Sequence, residues 1–233
     1  MMKAYIHGVG RADASDVDFK SIVRDALMRR RMSRIVRQGV TAGWVAQEGH
    51  PVDAILTATG MGCLTDSEKF LRNVIDTDEQ LLSPTSFIQS TFNTIGATIA
   101  LLQGNHAYNM TYTHGGDSFL SAVLDGVMLL EEGQHHEILV GAVEEFTPTL
   151  KTLLGRMRVG EIEGDGGAYF FRLSSVEEGA LAVVEISEAK TEEDHARRYE
   201  NPLLMAAQVV DALDEKRSWV ACRNHLRVEV KCL

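Results

Sequence analysis

The sequence predicts an α/β fold in which a mostly parallel sheet is flanked by helices. Over the first 145 residues, short β-like segments alternate with longer segments of helical periodicity. This alternation favours parallel strands that are connected by helices. The chain has 233 residues, of which 45% are hydrophobic, and a chain of this length can bury a sizeable core.

The first 75 residues predict two strands and two helices. The segment KAYIHGVGRA (3–12) alternates and ends in glycines, which indicates a strand. Apolar residues at helical spacing then predict a helix over 18–47. The apolar run DAILTATGMG (53–62) indicates a buried strand that leads into a glycine turn. The segment TDSEKFLRNVI (65–75) has a capping residue and an amphipathic pattern, so it is predicted to be a helix.

The middle of the chain continues the alternation. A helix is predicted from about Ser90 within 83–104, YNMTYTH (108–114) is predicted to be a strand, and HEILVGAVEE (136–145) another. The helix predicted over 118–133 is apolar nearly all round, so protein must surround it. Because glycines and polar residues crowd its N-terminus, we expect that end to face a cleft, where the helix dipole would stabilise a thiolate or an oxyanion.

The C-terminal part of the chain is predicted to be a smaller addition. Further strands are predicted at 166–175 and 179–190. The remaining residues predict one helix, at about 200–215, and a last alternating strand, LRVEVKCL (226–233). We therefore divide the chain into a domain of residues 1–190 and a tail of one helix and one strand, 191–233.

Composition and charge argue against several classes of function. The formal net charge is −10, which opposes nonspecific binding to nucleic acid or to an anionic membrane. No apolar run approaches the roughly 18–20 residues of a membrane span, and no secretion signal is recognised at the N-terminus. The cysteines Cys63, Cys222 and Cys232 form no CxxC pair. We therefore expect a cytoplasmic protein without a metal or an organic cofactor.

Five segments, taken together, are typical of one enzyme family. They are RRMSRIVRQGVTAGWVAQE (30–48), ILTATGMGCLTDSEKFL (55–71), SPTSFIQSTFNTIGATIALLQGNHAYNMTYTH (83–114), AVLDGVMLLEEGQHHEILVGAVEE (122–145) and EGDGGAYFFRL (163–173). In this order and spacing they resemble the N-terminal half of the β-ketoacyl-ACP synthases, which have the thiolase-like fold. The resemblance covers about residues 3–190 and implies a thiolase-like half-fold whose C-terminal half is missing.

Two departures from the family pattern bear on activity. Ketosynthases carry a nucleophilic cysteine at the start of the buried helix, and the match places Gly116 at that position. Glycine has no side chain with which to form an acyl-enzyme. Family members also use two histidines of the C-terminal half, whereas downstream of residue 173 this chain has His195 and His225 in contexts that do not match. The resemblance therefore implies no catalytic residue, and no activity of this chain alone.

Relatives of ketosynthases that lack the nucleophile are known as chain-length factors. They pair with an active ketosynthase and shape its acyl tunnel. The short form with the segments SFIQSTFNTIGA and YNMTY looks like the partner subunit of aryl-polyene-type synthases, which are type II polyketide or fatty acid synthases. The resemblance implies a full-length β-ketoacyl-ACP synthase and an acyl carrier protein as partners, with a homodimer as the alternative for the isolated chain.

The resemblance also implies where the partner would bind. In this family, dimers form through the nucleophile strands and the helices beside them, which correspond to 86–93 and 108–114. The residues expected in the interface are Phe87, Ile88, Gln89, Thr91, Asn93, Met110 and Tyr112.

A basic cluster in an acidic chain supports two interpretations. Its members are Arg29, Arg30, Arg31, Arg34 and Arg37. The cluster would either dock the acidic helix of a carrier protein or form a solvated helix face that is paired with nearby carboxylates.

The segment HGGDSF (114–119) supports a different hypothesis. It resembles the oxyanion loop of lipases and the GDS block of esterases, so Ser118 would act as a nucleophile with His114 or His195 in a hydrolase or acyltransferase. Against this, the esterase block lies near the chain start, and no Asp-x-x-His follows. The simpler interpretation is that Asp117 and Ser118 cap the helix. A third hypothesis is a structural protein that binds itself.

Three further features have simple structural explanations. His135 and His136 follow two glutamates, but adjacent residues point to different sides, which favours a solvated turn over a metal site. Cys63 lies in a glycine turn, and core packing is predicted for it. The segment EGDGGA (163–168) lacks the helix that follows a phosphate loop, so tight entry into a strand is predicted.

Overall fold

The strands form one mixed sheet that carries helices on both faces. The computed structural model describes residues 1–11, 17–80, 82–159, 162–189, 200–223 and 225–233. The strands are β1 (Met2–Arg11), β2 (Ala54–Ala58), β3 (Tyr108–Tyr112), β4 (Glu137–Glu145), β5 (Gly166–Ser174), β6 (Ala182–Glu188), β7 (Trp219–Arg223) and β8 (Leu226–Cys232). The helices are α1 (Phe19–Ile22), α2 (Ala26–Arg31), α3 (Arg34–Gln47), α4 (Leu64–Asp76), α5 (Pro84–Gln89), α6 (Thr94–Gln103), α7 (Ser118–Glu131), α8 (Pro148–Met157) and α9 (Pro202–Asp214).

The directions of the strands correct the expectation of a mostly parallel sheet. The strand order is β3-β2-β4-β5-β1-β6-β8-β7. Strand β2 is parallel to its neighbours β3 and β4, whereas the other described neighbours are antiparallel. Helical crossovers connect β2 to β3 and β3 to β4, which makes these strands parallel, while β7 and β8 are joined by a short connection that allows only antiparallel pairing. The alternation of strands and helices identified the parallel part alone.

A hydrophobic core lies on each face of the sheet. On one face α7 and α9 pack against the strands and against each other, and they bury Phe119, Val127 and Val209. On the other face α3 and α6 pack together and bury Ile35 and Ile99. Burial of these side chains removes apolar surface from water and is the main stabilising contribution to such a fold.

The C-terminal tail contributes to the same sheet and the same core. Strand β8 pairs with β6 along its whole length, from Cys232 opposite Ala182 to Leu226 opposite Glu188. Helix α9 supplies the side chains that lie beside those of α7. The boundary predicted between 190 and 191 falls outside the described residues, and segments on both sides of it build one sheet.

Two glycines bring the first strand into contact with a helix. A Cβ on Gly8 would run into the carbonyl oxygen of Ala46, and a Cβ on Gly10 into that of Ala42. Both oxygens belong to the backbone of α3, so a side chain at either glycine would push the helix away from the sheet. These glycines therefore set the distance between β1 and α3.

Two predicted helices differ in extent from those in the structure. The helix predicted over 18–47 is divided into α1, α2 and α3, because Val23 and Met32 have extended backbones and Asp25 caps α2 by accepting hydrogen bonds from Leu27 and Met28. The helix predicted from about Ser90 corresponds to α6, which begins at Thr94, and a separate helix, α5, precedes the predicted start. Capping carboxylates and short extended links end a helix without any change in its apolar periodicity.

Three of the described elements were not predicted, α5, α8 and β7. Thr147 and Pro148 supplied a signal for α8, because the hydroxyl of Thr147 accepts a hydrogen bond from the Leu150 amide at 3.2 Å and proline suits the first turn of a helix.

Within the described ranges, none of the helices has the length and apolar character needed to cross a membrane.

Candidate functional site

The turn that would hold a ketosynthase nucleophile connects β3 to α7. A 3₁₀ turn, Gly115–Asp117, precedes α7, and Gly115 adopts a left-handed backbone with φ of +60°. The hydroxyl of Ser118 is fully buried and accepts the backbone N–H of His114 at 2.8 Å. It also lies 2.8 Å from the carbonyl oxygen of Gly115 and 3.1 Å from that of Thr59. Ser118 therefore holds the turn together from inside.

The side chains of the serine-hydrolase hypothesis are not brought together. The ring of His114 lies 3.3 Å, through Nδ1, from the hydroxyl of Ser121 and packs edge-on against Tyr112. The hydroxyl of Ser118 is instead bonded to the backbone of the turn. His195, the other proposed base, lies outside the described residues. In the described part of the chain, Ser118 has neither the accessibility nor the imidazole partner that a nucleophile needs.

The expected capping of α7 is also replaced by another arrangement. Asp117 occupies the capping position but makes no side-chain capping hydrogen bond. Its carboxylate accepts a hydrogen bond from Arg223 at 3.1 Å. The carboxylate of Asp117 therefore forms an ion pair with Arg223 of the C-terminal tail.

Glu200 of the tail occupies the space beside Gly116. A Cβ on Gly116 would lie 2.7 Å from the Cβ of Glu200 and 3.1 Å from its Oε2. Arg223 binds Glu200 and Asp117 together through the same nitrogen, Nη1. The expectation that the N-terminus of α7 faces a cleft is therefore wrong at Gly116, because the tail covers this position.

A second turn, Thr59–Gly62, lies next to the first and is held by a buried carboxyl group. Glu144 is fully buried and accepts the backbone N–H groups of Gly60 at 2.6 Å and Met61 at 2.9 Å. Burial raises the pKa of Glu144 to about 7, although these hydrogen bonds act in the opposite direction. The sequence analysis did not identify Glu144 as a structural residue. The feature that could have indicated it is the acidic pair Glu144 and Glu145 at the end of an apolar strand.

Cys63 and EGDGGA have the structural roles that were predicted. Cys63 is 1% exposed and packs in the core under α3, and burial raises the pKa of its thiol, so the reactive thiolate is disfavoured. Gly166 begins β5, and a Cβ there would run into the carbonyl of Glu144, which explains the glycine.

His135 and His136 lie in the connection between α7 and β4. The backbone N–H of His136 donates to the carboxylate of Asp53 at 2.7 Å. Over the part of the chain that the structure describes, no three His, Cys, Asp or Glu side chains are grouped so as to hold a metal ion.

The residues expected at a partner interface lie on two adjoining surfaces. Five of them line an apolar groove of about 660 Å³ between α2, α5 and α6, namely Phe87, Ile88, Gln89, Thr91 and Asn93. The other two, Met110 and Tyr112, lie on β3, the edge strand beside α6, where Met110 is exposed and Tyr112 half-buried. The side chain of Asn109 joins the two surfaces by donating to the carbonyl of Gly96 at 3.0 Å.

The structure divides the basic cluster into two groups. Arg29, Arg34 and Arg37 donate hydrogen bonds to backbone carbonyls, so they hold local structure together. Arg30 and Arg31 are exposed and form no hydrogen bond or ion pair with any described residue. Arg31 also lines the apolar groove.

Known structures share this architecture. A chain of the ketosynthase ApeO complex with its chain length factor ApeC, from Xenorhabdus doucetiae, has a TM-score of 0.71 at 16% identity, over 99% of this chain and 100% of that chain. Chains of the AntDE:AntF complex, which contains a type II polyketide synthase carrier protein and its ketosynthase, and of the ishigamide ketosynthase/chain length factor have TM-scores of 0.76 and 0.73 at 14% and 13% identity, over 100% of both chains in each case.

These likenesses establish a thiolase-like ketosynthase fold. None of the curated proteins matches the chain in sequence. The family model described as beta-ketoacyl synthase, N-terminal domain, matches residues 9–226. The chain therefore belongs to the family of β-ketoacyl synthase N-terminal domains.

Proposed function

We propose that the chain is a non-catalytic, chain-length-factor-like partner of an active β-ketoacyl-ACP synthase. The observation that carries this proposal is the state of the nucleophile position, where Gly116 has no side chain and Glu200 fills the adjacent space. A family member built in this way needs another subunit to supply the cysteine. Similarity to chains from ketosynthase/chain length factor complexes supports the same role.

The surface around β3 supports the proposed interface. Exposed large apolar side chains lie on four consecutive elements, α4, α5, α6 and β3, and on the link before α6. They are Leu71, Ile75, Phe87, Ile88, Phe92, Leu101, Tyr108 and Met110. Strand β3 pairs with β2 on one side and forms one edge of the sheet, so its other side can accept a partner strand. A large exposed apolar surface beside an open sheet edge is typical of a protein interface.

The proposed reaction belongs to the complex. The partner's cysteine would carry the growing acyl chain, and an acyl carrier protein would deliver the extender unit through its phosphopantetheine arm. This chain would help to define the tunnel for a chain of the polyene or fatty acid type, in the cytoplasm, without a cofactor of its own. We propose that Arg30 and Arg31 contribute to docking of the carrier protein, since both are exposed and unpaired within the described structure.

Co-expression with a full-length ketosynthase from the same genome tests the proposal. One subunit is tagged, and the purified sample is analysed by size exclusion and by extension of acyl chains from malonyl-carrier protein. We expect a heterodimer that elongates. An uncomplexed chain, either monomeric or homodimeric, that leaves elongation unchanged would contradict the proposal. Ester hydrolysis by the isolated chain that is lost in Ser118→Ala would favour the hydrolase.

A matched pair of variants locates the interface. Met110→Glu places a charge on β3, and Val220→Glu places one on β7 at the opposite edge of the sheet, where the exposures of the native side chains are similar, 41% and 43%. We expect Met110→Glu to weaken binding of the ketosynthase at least about tenfold and Val220→Glu to leave it unchanged. Equal binding by the two variants would place the interface elsewhere.

A further inference from the structure

The first residues of the described tail, Glu200–Pro202, pack against both turns, the one before α7 and Thr59–Gly62. Glu200 contacts Gly116 in the turn before α7. Pro202 approaches the other turn, where its Cδ would lie 3.6 Å from a Cβ on Gly60. We propose that Glu200 and Arg223 form a built-in plug that closes this chain's own nucleophile site, so that a thiol restored at position 116 would not suffice to reopen it.

The contact at Gly116 involves atoms that cannot rotate away. The nearest atom to a Cβ on Gly116 is the Cβ of Glu200, at 2.7 Å, and the carbonyl carbon of Glu200 lies at 3.5 Å. A Cβ is fixed by the backbone, so relief of this contact requires movement of the main chain of the tail. Even the first carbon of a cysteine side chain lacks space here, and an acyl thioester needs much more.

Ionic and backbone contacts hold the plug in place. Arg223 bridges Glu200 and Asp117, and 14% of its side-chain surface is exposed, so solvent screens these pairs less than it screens surface pairs. Arg223 is anchored because β7 pairs with β8. On the other side, the side chain of Asn201 caps α9 by accepting the N–H of Leu204 at 3.0 Å. The plug is thus tied to a strand and to a helix on either side of it.

This inference goes beyond the proposed partner role and does not depend on it. It concerns the isolated chain, which could hold an acyl group at position 116 only with both a thiol there and removal of Glu200 from the adjacent space. The residue types that fit at positions 116 and 200 therefore depend on each other. Without a side chain at 116, Glu200 fits; with Glu200 present, a side chain at 116 does not.

A set of cysteine variants tests the plug in the isolated chain. The variants are Gly116→Cys alone and in combination with Glu200→Ala or Glu200→Gly. Glu200→Ala keeps the obstructing Cβ, and Glu200→Gly removes it. The rate of alkylation at position 116 by iodoacetamide is measured by peptide mass spectrometry, with Cys222 and Cys232 as internal references because both are half-buried free thiols.

We expect alkylation at least about tenfold faster with Glu200→Gly than with Glu200→Ala or with Gly116→Cys alone. In a double-mutant cycle, Gly116→Cys should lower the midpoint of chemical unfolding when Glu200 is present and have a much smaller effect when it is combined with Glu200→Gly. Equal alkylation rates and equal midpoint shifts in the two backgrounds would overturn the proposal.

A second measurement covers the case in which the cysteine variants do not fold. Hydrogen exchange of the peptide that covers residues 113–119 is compared in the wild type, Glu200→Gly and Glu215→Gly. Glu215 pairs with Arg217 just beyond α9, so its variant controls for loss of an exposed tail carboxylate. We expect faster exchange in Glu200→Gly alone. Unchanged exchange in Glu200→Gly would overturn the plug, whether or not the chain binds a ketosynthase.

Discussion

At the scale of single residues, Glu144 makes the stability of the fold depend on pH through the turn Thr59–Gly62 that it holds. Burial raises its pKa from 4.5 to about 7 in the folded state, so the folded protein retains a proton that the unfolded chain releases between these pH values. The free energy of unfolding therefore falls as pH rises from 4.5 to about 7. Above that pH the carboxyl group is ionised in both states and causes no further change. The contribution is about 3 kcal/mol.

Glu144→Gln should remove this pH dependence. The neutral amide cannot ionise, so the fall in unfolding free energy between pH 5 and pH 8 should be smaller than in the wild type by about 2.5 kcal/mol. Chemical denaturation at the two pH values measures it, and the exposed Glu215→Gln is the control. Equal pH dependence of Glu144→Gln and the wild type would show that Glu144 does not hold its proton.

At the scale of elements, the contact between β1 and α3 depends on glycine. A Cβ on Gly10 would run into the carbonyl oxygen of Ala42 and would lie 2.7 Å from the amide nitrogen of Ala46. These are backbone atoms, so no side-chain rotation relieves the overlap. The strand and the helix would have to separate, and the core between them would lose packing.

Gly10→Ala should therefore lower the free energy of unfolding by about 3 kcal/mol. Gly155→Ala is the matched control, because Gly155 is exposed within α8 and a Cβ there meets nothing within 4 Å. That substitution should stabilise the protein by up to about 1 kcal/mol, since alanine favours helix more than glycine. Denaturant unfolding of both variants measures the difference, and a tolerated Gly10→Ala would contradict the packing described for β1.

At the scale of the whole molecule, charge is distributed unevenly. The chain carries a formal net charge of −10, yet Arg30 and Arg31 lie together beside the apolar groove without a partner among the described residues. A basic patch on an acidic protein directs an acidic partner to one orientation, because the rest of the surface repels it.

Reversal of charge at this patch tests carrier-protein docking. Arg30→Glu should weaken binding of an acyl carrier protein to the ketosynthase complex by about fivefold at low salt and by less at high salt, and Arg30 lies outside the groove lining. Arg156→Glu is the control, because Arg156 is exposed on α8, away from the groove lining. If both variants bind the carrier protein as the wild type does, the patch is a solvated helix surface.

The sequence by itself determined the features that depend on local pattern. The bounds predicted for β4, 136–145, and for α7, 118–133, agree with the observed Glu137–Glu145 and Ser118–Glu131. They agree because apolar periodicity and turn-forming glycines are properties of a few consecutive residues. The resemblance also placed Gly116, which has no side chain to act as a nucleophile, at the position of the ketosynthase cysteine, and this placement stays a prediction.

Only the tertiary structure decided what depends on contacts between distant segments. Periodicity does not specify strand direction, so the antiparallel pairing of β1 with β5 and β6 was not predicted. Nor does any local pattern relate Glu200 to Gly116, because the contact arises from the position that β7 and α9 give to the tail. The local sequence limits the conformation of a segment. The space that a side chain fills depends instead on which remote elements pack against that segment.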